Sequence, residues 1–270
     1  ERSCKNLHLF LTWDPSFSKY SGVISLKALV IGAHLDDSVI ALGGVIRKIV
    51  KAGGEVNVVC FGHSDEDFAD ISDKNTAAER ITAQAVEAHK VLGVKSFECF
   101  HYPDYAVQEN RETYRLCIES IRKYEPDIIF GHSWNEYFQH RAMARLSCDS
   151  WWQAGWSCSA DLGQPWFARS LYHFEVIQLL ANPSDIVDIS DTFEEKMAAW
   201  RCFQSSADVA EAVSKTEKTV RRNYGSTMGS LTEQLETRAR YYGSVIGVRY
   251  AEALQRSDFL PRPVRDITLL

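Results

Sequence analysis

Histidine and aspartate side chains follow an apolar segment near the start of the chain. The stretch "LKALVIGAHLDDS" brings His34, Asp36 and Asp37 to the point where a buried strand is predicted to end. A second segment, "GHSWNEYFQH", carries His132 and His140 behind another predicted strand. Two imidazoles and one carboxylate make up a catalytic zinc site with one position left for water. The segments predict such a site, with one of the adjacent aspartates binding the metal and the other accepting a proton from water.

Other interpretations of these residues stay open at this stage. An aspartate between a strand and a helix often caps the helix, and a histidine is often a hydrogen-bonded core residue. A nucleotide site has little support, because "GAHLDD" lacks the third glycine of GxGxxG and the lysine of a phosphate-binding loop.

The elements that must position these residues alternate along the first half of the chain. Short apolar runs predict strands, and apolar residues at helical spacing predict helices between them. The predicted strands are 26–33, 55–62, 96–101 and 127–132, and the predicted helices are 39–54, 75–93 and 111–124. This alternation predicts an α/β fold, Rossmann-like, with a mostly parallel sheet and helices on both faces.

The second half is predicted to continue the same domain. A helix over 140–152 leads into a tryptophan-rich loop at 151–167, and strands are predicted at 171–180 and 185–190. Asp191 or Thr192 is a candidate cap for the helix that follows. With no internal repeat or linker, we expect one domain over 1–270, comprising an N-terminal arm (1–24) and a helical C-terminal part (191–256).

Composition limits the classes of partner. The 270 residues carry a net charge of −6, with no dense cluster of lysine and arginine, so a nucleic-acid partner is not expected. No apolar run approaches the roughly 18 residues that span a bilayer, and a cytoplasmic protein with no membrane contact is expected. The seven scattered cysteines predict free, buried thiols. Whether the chain forms a homo-oligomer is left open.

Several motifs together resemble one family. The run "AHLDDS" resembles the A-H-P-D-D-E hallmark of the LmbE-like, or PIG-L-type, zinc-dependent de-N-acetylases. In the same order, "AAERITAQAVEAHKVLGV", "FHYPDY" and "YYGSVIGVRYAEAL" resemble the family's alanine-rich helix, its G-x-P-D-G turn and its C-terminal signature. Agreement at four separated places is more specific than any single motif.

The resemblance implies roles for particular residues. It implies that His34, Asp37 and His140 bind one zinc ion, with iron(II) as the alternative metal, and that Asp36 is the general base. The family's second motif, H-x-D-H, reads "YFQH" here, so Tyr137 and Gln139 stand in place of a histidine and an aspartate. Tyr137 can donate a hydrogen bond to an oxyanion but is a poor acid at neutral pH. His132, in the same segment, is the candidate for the acid, unless it only bonds backbone at the end of the strand.

The implied reaction is de-N-acetylation of a small N-acetylated amino sugar or glycoconjugate. Two rivals stay open: an amidase for a thiol or glycopeptide conjugate, and a carbohydrate-binding protein of the same fold without turnover. Because aromatic faces and carboxylates commonly bind sugars, the candidate substrate-binding residues include Trp151, Trp152, Trp156, Asp65 and Asp104. Arg80, on a predicted helix, is a further candidate. Each also has a purely structural interpretation, the tryptophans as a small core and the charged residues as solvated side chains or turns.

Overall fold

The computed structural model describes residues 25–68, 70–203 and 231–259. Seven strands form one sheet over these residues. They are β1 (Lys27–Gly32), β2 (Glu55–Gly62), β3 (Ser96–Tyr102), β4 (Ile128–His132), β5 (Ser170–Phe174), β6 (Asp185–Asp188) and β7 (Ala251–Arg256). The N-terminal arm predicted at 1–24 lies outside the described residues.

Within the described residues, six α-helices pack on the two faces of the sheet. They are α1 (Asp37–Lys51), α2 (Lys74–Leu92), α3 (Arg111–Tyr124), α4 (Phe138–Ala154), α5 (Phe193–Trp200) and α6 (Leu231–Ile246). Apolar residues of α1, α2, α5 and α6 form a core on one face, and those of α3 and α4 form a second core on the other. The predicted α/β sheet with helices on both faces is confirmed.

The order of the strands creates a crevice between two of them. The sheet runs β3-β2-β1-β4-β5-β7-β6, with β1 to β5 parallel and β7 antiparallel to both of its neighbours. From β1 the chain crosses to β2 on one side, and from β4 it crosses to β5 on the other. Helices therefore diverge above β1 and β4, and ligands of open α/β sheets bind at such a point, outside the carboxyl ends of the strands.

Three predictions from the sequence differ from the structure. The strand predicted at 171–180 ends at Phe174, and α4 extends to Ala154, two residues beyond the end of the helix predicted over 140–152. The helical prediction for the C-terminal part is wrong at 251–256, which forms β7. The alanines and leucine of "AEALQR" fit either element, but Glu252 accepts backbone N–H bonds from Gly44 and Val45 of α1, and the segment pairs with two strands. Tertiary contacts decide its conformation.

Among the described residues, no helix combines the length and the apolar character that crossing a bilayer requires.

Candidate metal centre and active site

The crevice between β1 and β4 receives the residues that the sequence singled out. β1 ends at Gly32 and α1 begins at Asp37, so His34 and Asp36 lie in a short turn between them. The backbone N–H groups of Ala33 and His34 donate to Oδ2 of Asp37 at 3.0 and 2.7 Å, which fixes this carboxylate beneath the turn. Asp36 occupies the position before α1, but its side chain makes no capping hydrogen bond.

Three side chains converge with the geometry of a metal site. Nδ1 of His34 lies 3.0 Å from Nε2 of His140, and Oδ1 of Asp37 lies 3.3 Å from the same nitrogen. One donor atom from each residue falls within 4.8 Å of the others. Tetrahedral zinc with bonds of about 2.0–2.1 Å separates its ligand atoms by about 3.3 Å. The donor set therefore fits a divalent ion, as the motifs predicted.

Opposite charges stabilise the charged forms of this group. Burial alone would raise the pKa of Asp37, but the nearby His140 and His132 hold that pKa well below its usual range. Burial lowers the pKa of His140, yet Asp37 and Glu136 outweigh it and raise the pKa to about 9. The pKa of His34 is also raised, because its interaction with Asp37 outweighs its burial.

Glu136 is a residue of the site that sequence reasoning missed. Its Oε2 lies 3.2 Å from Nδ1 of His140, and it is buried at 1% exposure. Oε1 accepts the backbone N–H groups of Val176, Ile177 and Gln178 at 2.8, 2.9 and 3.1 Å. Glu136 thus orients His140 and holds it against the wall of the cavity. The four-residue spacing from Glu136 to His140 was the signal in the sequence that could have found it.

His132 is fully buried beneath the site. Its Nε2 lies 3.0 Å from Oδ2 of Asp37 and 3.0 Å from the backbone nitrogen of Ala33. Burial, together with the neighbouring His140, lowers the pKa of His132 to about 4, so the ring is neutral near pH 7. It does not line the cavity above the site, so the structure gives no route for the proton transfer to substrate that the sequence suggested for it.

A cavity of about 370 Å³ opens above the three converging residues. Its described lining combines carboxylates with apolar and tyrosine side chains: His34, Asp36, Asp37, Ile40, Ser64, Glu66, Asp67, Asp104, Tyr105, Tyr137, His140, Val176, Ile177 and Leu231.

Burial of Asp36 beside the negative charge of Asp37 raises the pKa of its carboxyl group to about 7. A carboxylate with this pKa is matched to accepting a proton at neutral pH.

Tyr137 and Gln139 take different positions at the start of α4. The Tyr137 ring lies parallel to the His34 ring, with centroids 6.2 Å apart, and lines the cavity. Burial and the carboxylates of Asp37 and Asp36 raise the pKa of Tyr137, which keeps its hydroxyl protonated as a hydrogen-bond donor. Oε1 of Gln139 accepts the backbone N–H of Tyr105 at 2.6 Å. Glu136, not Gln139, supports His140.

The charged candidates for substrate binding divide into two groups. Asp104 lines the cavity, with Oδ1 3.9 Å from Nε2 of His34, and burial raises the pKa of its carboxyl group. Asp65 lies behind it and accepts the backbone N–H of Asp104 at 2.7 Å. Arg80 lies on α2, 3.6 Å from a carboxylate oxygen of Asp73, and is not part of the described lining.

The structure does not bring the tryptophans to this site. Trp151 follows His140 by eleven residues of α4, about 16 Å along the helix axis. Trp151 is a core residue at 3% exposure, and its Nε1 donates to the carbonyl oxygen of Ala168. Trp152 and Trp156 are exposed and pack edge to face, with ring centroids 5.2 Å apart. None of the three lines the cavity.

Comparison with known proteins matches part of this chain to one family. Residues 29–150, from β1 into α4, match the PIG-L family model, described as GlcNAc-PI de-N-acetylase. This segment contains all three candidate metal ligands. The resemblance to the LmbE-like, or PIG-L-type, family that the motifs predicted is confirmed.

Individual relatives extend the match over more of the chain. Diacetylchitobiose deacetylase of Thermococcus kodakarensis is 27% identical over 242 residues, covering 85% of this chain and 82% of that protein. 4-Oxalmesaconate hydratase of Pseudomonas putida is 25% identical over 194 residues, covering 66% and 72%. The structure of N,N'-diacetylchitobiose deacetylase from Pyrococcus horikoshii, in complex with an inhibitor, superposes with a TM-score of 0.73 at 24% identity. That superposition covers 96% of this chain and 92% of the other, and shows that the two share a fold.

Proposed function

We propose that the protein is a metal-dependent amide hydrolase that removes the acetyl group from an N-acetylated amino sugar. The observation that carries this proposal is the convergence of His34, Asp37 and His140 beneath a cavity that Asp36 also lines. Metal ligands and a separate carboxylate of raised pKa, facing one cavity, are the parts that hydrolysis by an activated water requires.

His34, Asp37 and His140 would hold the metal. Zinc is the proposed ion, and iron(II) suits the same nitrogen and oxygen ligands. When bound, the ion would act as a Lewis acid that lowers the pKa of water and polarises the amide carbonyl. His132 and the N–H groups of Ala33 and His34 occupy Oδ2 of Asp37, which leaves Oδ1 directed towards His140.

Asp36 moves the proton in the proposed reaction. It takes a proton from the attacking water as the oxygen bonds to the acetyl carbon. The bond between this carbon and the amide nitrogen then breaks, and Asp36 returns the proton to the departing amine. The second proton of water passes from the new acetic acid group to the amine, so the products are acetate and the protonated amino sugar, and atoms and charge balance. A pKa of about 7 lets one carboxyl group serve in both directions near neutrality.

Tyr137 stabilises the oxygen on which negative charge develops. Its raised pKa keeps the hydroxyl protonated, and its ring lies beside His34 at the floor of the cavity. A hydrogen bond aimed at a developing oxyanion lowers the barrier without proton transfer. Asp104, directly across from His34, is proposed to accept a hydrogen bond from a sugar hydroxyl.

The relatives support a sugar amide as substrate. A diacetylchitobiose deacetylase matches more of this chain, at higher identity, than the hydratase does. The hydratase nevertheless offers a second candidate, addition of water to an organic anion. The carboxylates of Asp36, Glu66, Asp67 and Asp104 in the described lining disfavour an anionic substrate, because like charges repel. The other rivals are the amidase for a different conjugate and the binding protein without turnover.

The test is acetate release from N,N'-diacetylchitobiose and N-acetylglucosamine by the zinc-loaded protein. Wild type should release acetate, and Asp36→Asn should lower kcat by at least about 100-fold, the usual contribution of a general base. Asp149→Asn alters an exposed aspartate of α4 outside the cavity and serves as the matched control.

Each contrary outcome points to a rival. Acetate release that is unchanged in Asp36→Asn contradicts the assigned base. No acetate from either sugar, with release of an acid from a thiol or glycopeptide conjugate, supports the alternative amidase. Hydration of 4-oxalmesaconate in place of acetate release supports the hydratase. Sugar binding that shows no turnover of any kind and is indifferent to Asp36→Asn supports the binding protein.

A further inference from the structure

The turn after β3 holds two non-glycine residues in the left-handed backbone region. His101 has φ of 57° and Tyr105 has φ of 65°. Glycine adopts this region freely, whereas a bulky residue there is strained and persists only where its surroundings enforce it. These two residues occupy the glycine positions of the G-x-P-D-G turn that "HYPDY" resembles.

A buried side chain enforces the conformation of Tyr105. Its backbone N–H donates to Oε1 of Gln139 at 2.6 Å, and Gln139 is fully buried beside His140. Gly62 makes room for this contact, since a Cβ atom there would lie 3.3 Å from Nε2 of Gln139 and 2.8 Å from the carbonyl oxygen of Ala33. Gln139, which does not support His140, therefore anchors the turn that carries Tyr105.

The anchored turn presents an aromatic ring at the mouth of the cavity. Tyr105 lines the cavity and is 61% exposed, so most of its ring surface is open to solvent. Tyr137 lines the same cavity and lies beside His34. The cavity thus has an inner tyrosine next to the candidate metal ligands and an outer tyrosine at its rim. An exposed ring held by a strained backbone is suited to stack on a flat apolar face of a ligand.

We propose that Tyr105 forms an outer subsite that stacks on a second pyranose ring, next to the acetamido sugar bound above His34. The proposal rests on the proposed function, because it takes the acetamido sugar to be the group that reaches the metal ligands. Tyr105 is then a specificity-determining residue that favours disaccharides and longer chains over a single sugar.

The test compares the affinities of N-acetylglucosamine and N,N'-diacetylchitobiose by isothermal titration calorimetry. All proteins are zinc-loaded and carry Asp36→Asn, so that the ligand is not consumed. Tyr105→Asn removes the ring and keeps a residue that tolerates a positive φ, whereas Tyr105→Phe keeps the ring and loses only the hydroxyl. Tyr241→Ala removes an exposed tyrosine of α6 outside the cavity and is the control.

With Tyr105 intact, the disaccharide should bind about tenfold more tightly than the monosaccharide, the effect expected of one aromatic stacking contact. Tyr105→Asn should abolish this preference, while Tyr105→Phe and Tyr241→Ala should retain it. Equal affinities, binding of neither sugar, or a preference that survives Tyr105→Asn would overturn the proposal.

Acetate release by the protein with Asp36 intact distinguishes failure of the outer subsite from failure of the proposed function. Acetate release from both sugars with no disaccharide preference would contradict only the outer subsite. A disaccharide preference that depends on Tyr105, without acetate release, would contradict only the proposed deacetylase activity.

Discussion

The surroundings of two adjacent aspartates of the site shift their pKa values in opposite directions. Asp37 is surrounded by two histidines and two backbone N–H groups, and its pKa falls well below the usual range. Asp36 faces the cavity next to that negative charge, and its pKa rises to about 7. When the pKa values of two neighbouring carboxyl groups are shifted apart in this way, one group can remain an anion while the other can accept a proton.

The sequence could predict which side chains converge as candidate metal ligands, but not which residues position them. His34, Asp37 and His140 lie in two motifs, each directly behind a strand, and the parallel sheet brings those ends together. Glu136 depends in addition on N–H groups at 176–178, beyond β5, which no local pattern connects to α4. The tryptophans are a prediction of the opposite kind. Their residue type indicates sugar binding, but α4 is long enough to place them away from the site.

We predict that Glu136→Gln weakens metal binding about 10- to 100-fold, the usual cost of losing the partner of a ligand histidine. The neutral amide orients His140 less strongly and removes a negative charge next to it. The measurement is zinc affinity by chelator competition, combined with ¹⁵N chemical shifts of the His140 imidazole in the metal-free protein. Glu119→Gln, at an exposed position of α3, is the control. Unchanged affinity and unchanged His140 shifts in Glu136→Gln would show that the contact is incidental.

At the scale of elements, the parallel half of the sheet was predictable and the antiparallel edge was not. β1 to β4 are apolar runs bounded by helical patterns, and each begins and ends within one or two residues of its prediction. β7 follows the C-terminal helix with an ambiguous pattern, and its conformation depends on partners about 60 to 210 residues away in the chain. Contacts at that separation are not visible in a local sequence pattern.

The contact between α1 and α2 contains a buried histidine with a testable effect on stability. Nε2 of His89 lies 2.7 Å from Oγ of Ser38, its Nδ1 lies 2.7 Å from the carbonyl oxygen of Ala85, and its ring stacks on Phe97. Burial lowers the pKa of His89 to about 4 from an ordinary value of 6.5. Between these values the unfolded chain binds a proton that the folded chain excludes, so stability falls as the pH drops below about 6.5.

We predict that His89 accounts for a loss of about 2 kcal/mol of unfolding free energy between pH 7 and pH 5. Urea unfolding of wild type and His89→Leu at both pH values measures it. Wild type should lose that much more stability than the variant, which cannot take up the proton. An equal loss in both proteins would mean that His89 is not the titrating group.

At the scale of the whole molecule, a buried ion pair joins three elements behind the site. Nζ of Lys196 on α5 lies 2.6 Å from Oε1 of Glu252 on β7, and both side chains are about 4% exposed. The Glu252 carboxylate also accepts backbone N–H groups of Gly44 and Val45 of α1. Gly43 allows the approach, since a Cβ atom there would lie 2.8 Å from Cγ of Lys196. The pair connects the helix that begins at Asp37 to the far edge of the sheet.

We predict that Glu252→Gln lowers the free energy of unfolding by about 3 kcal/mol, because it leaves the Lys196 ammonium group buried without a counter-charge. Chemical unfolding at pH 7 measures the loss. The double variant Lys196→Met with Glu252→Gln should recover most of it, since it removes the isolated charge. A single variant as stable as wild type, or a double variant no better than the single one, would contradict this account of the pair.

The central claim is that residues from two distant loops form one metal site, and metal content per chain tests it most directly. Wild type, His140→Ala and the control His63→Ala, a histidine outside the three converging residues, are purified, equilibrated with zinc, dialysed, and analysed by plasma mass spectrometry. We predict close to one zinc ion per chain in wild type and His63→Ala, and a large loss in His140→Ala. Wild type without bound metal, or His140→Ala with as much zinc as wild type, would contradict the site described here.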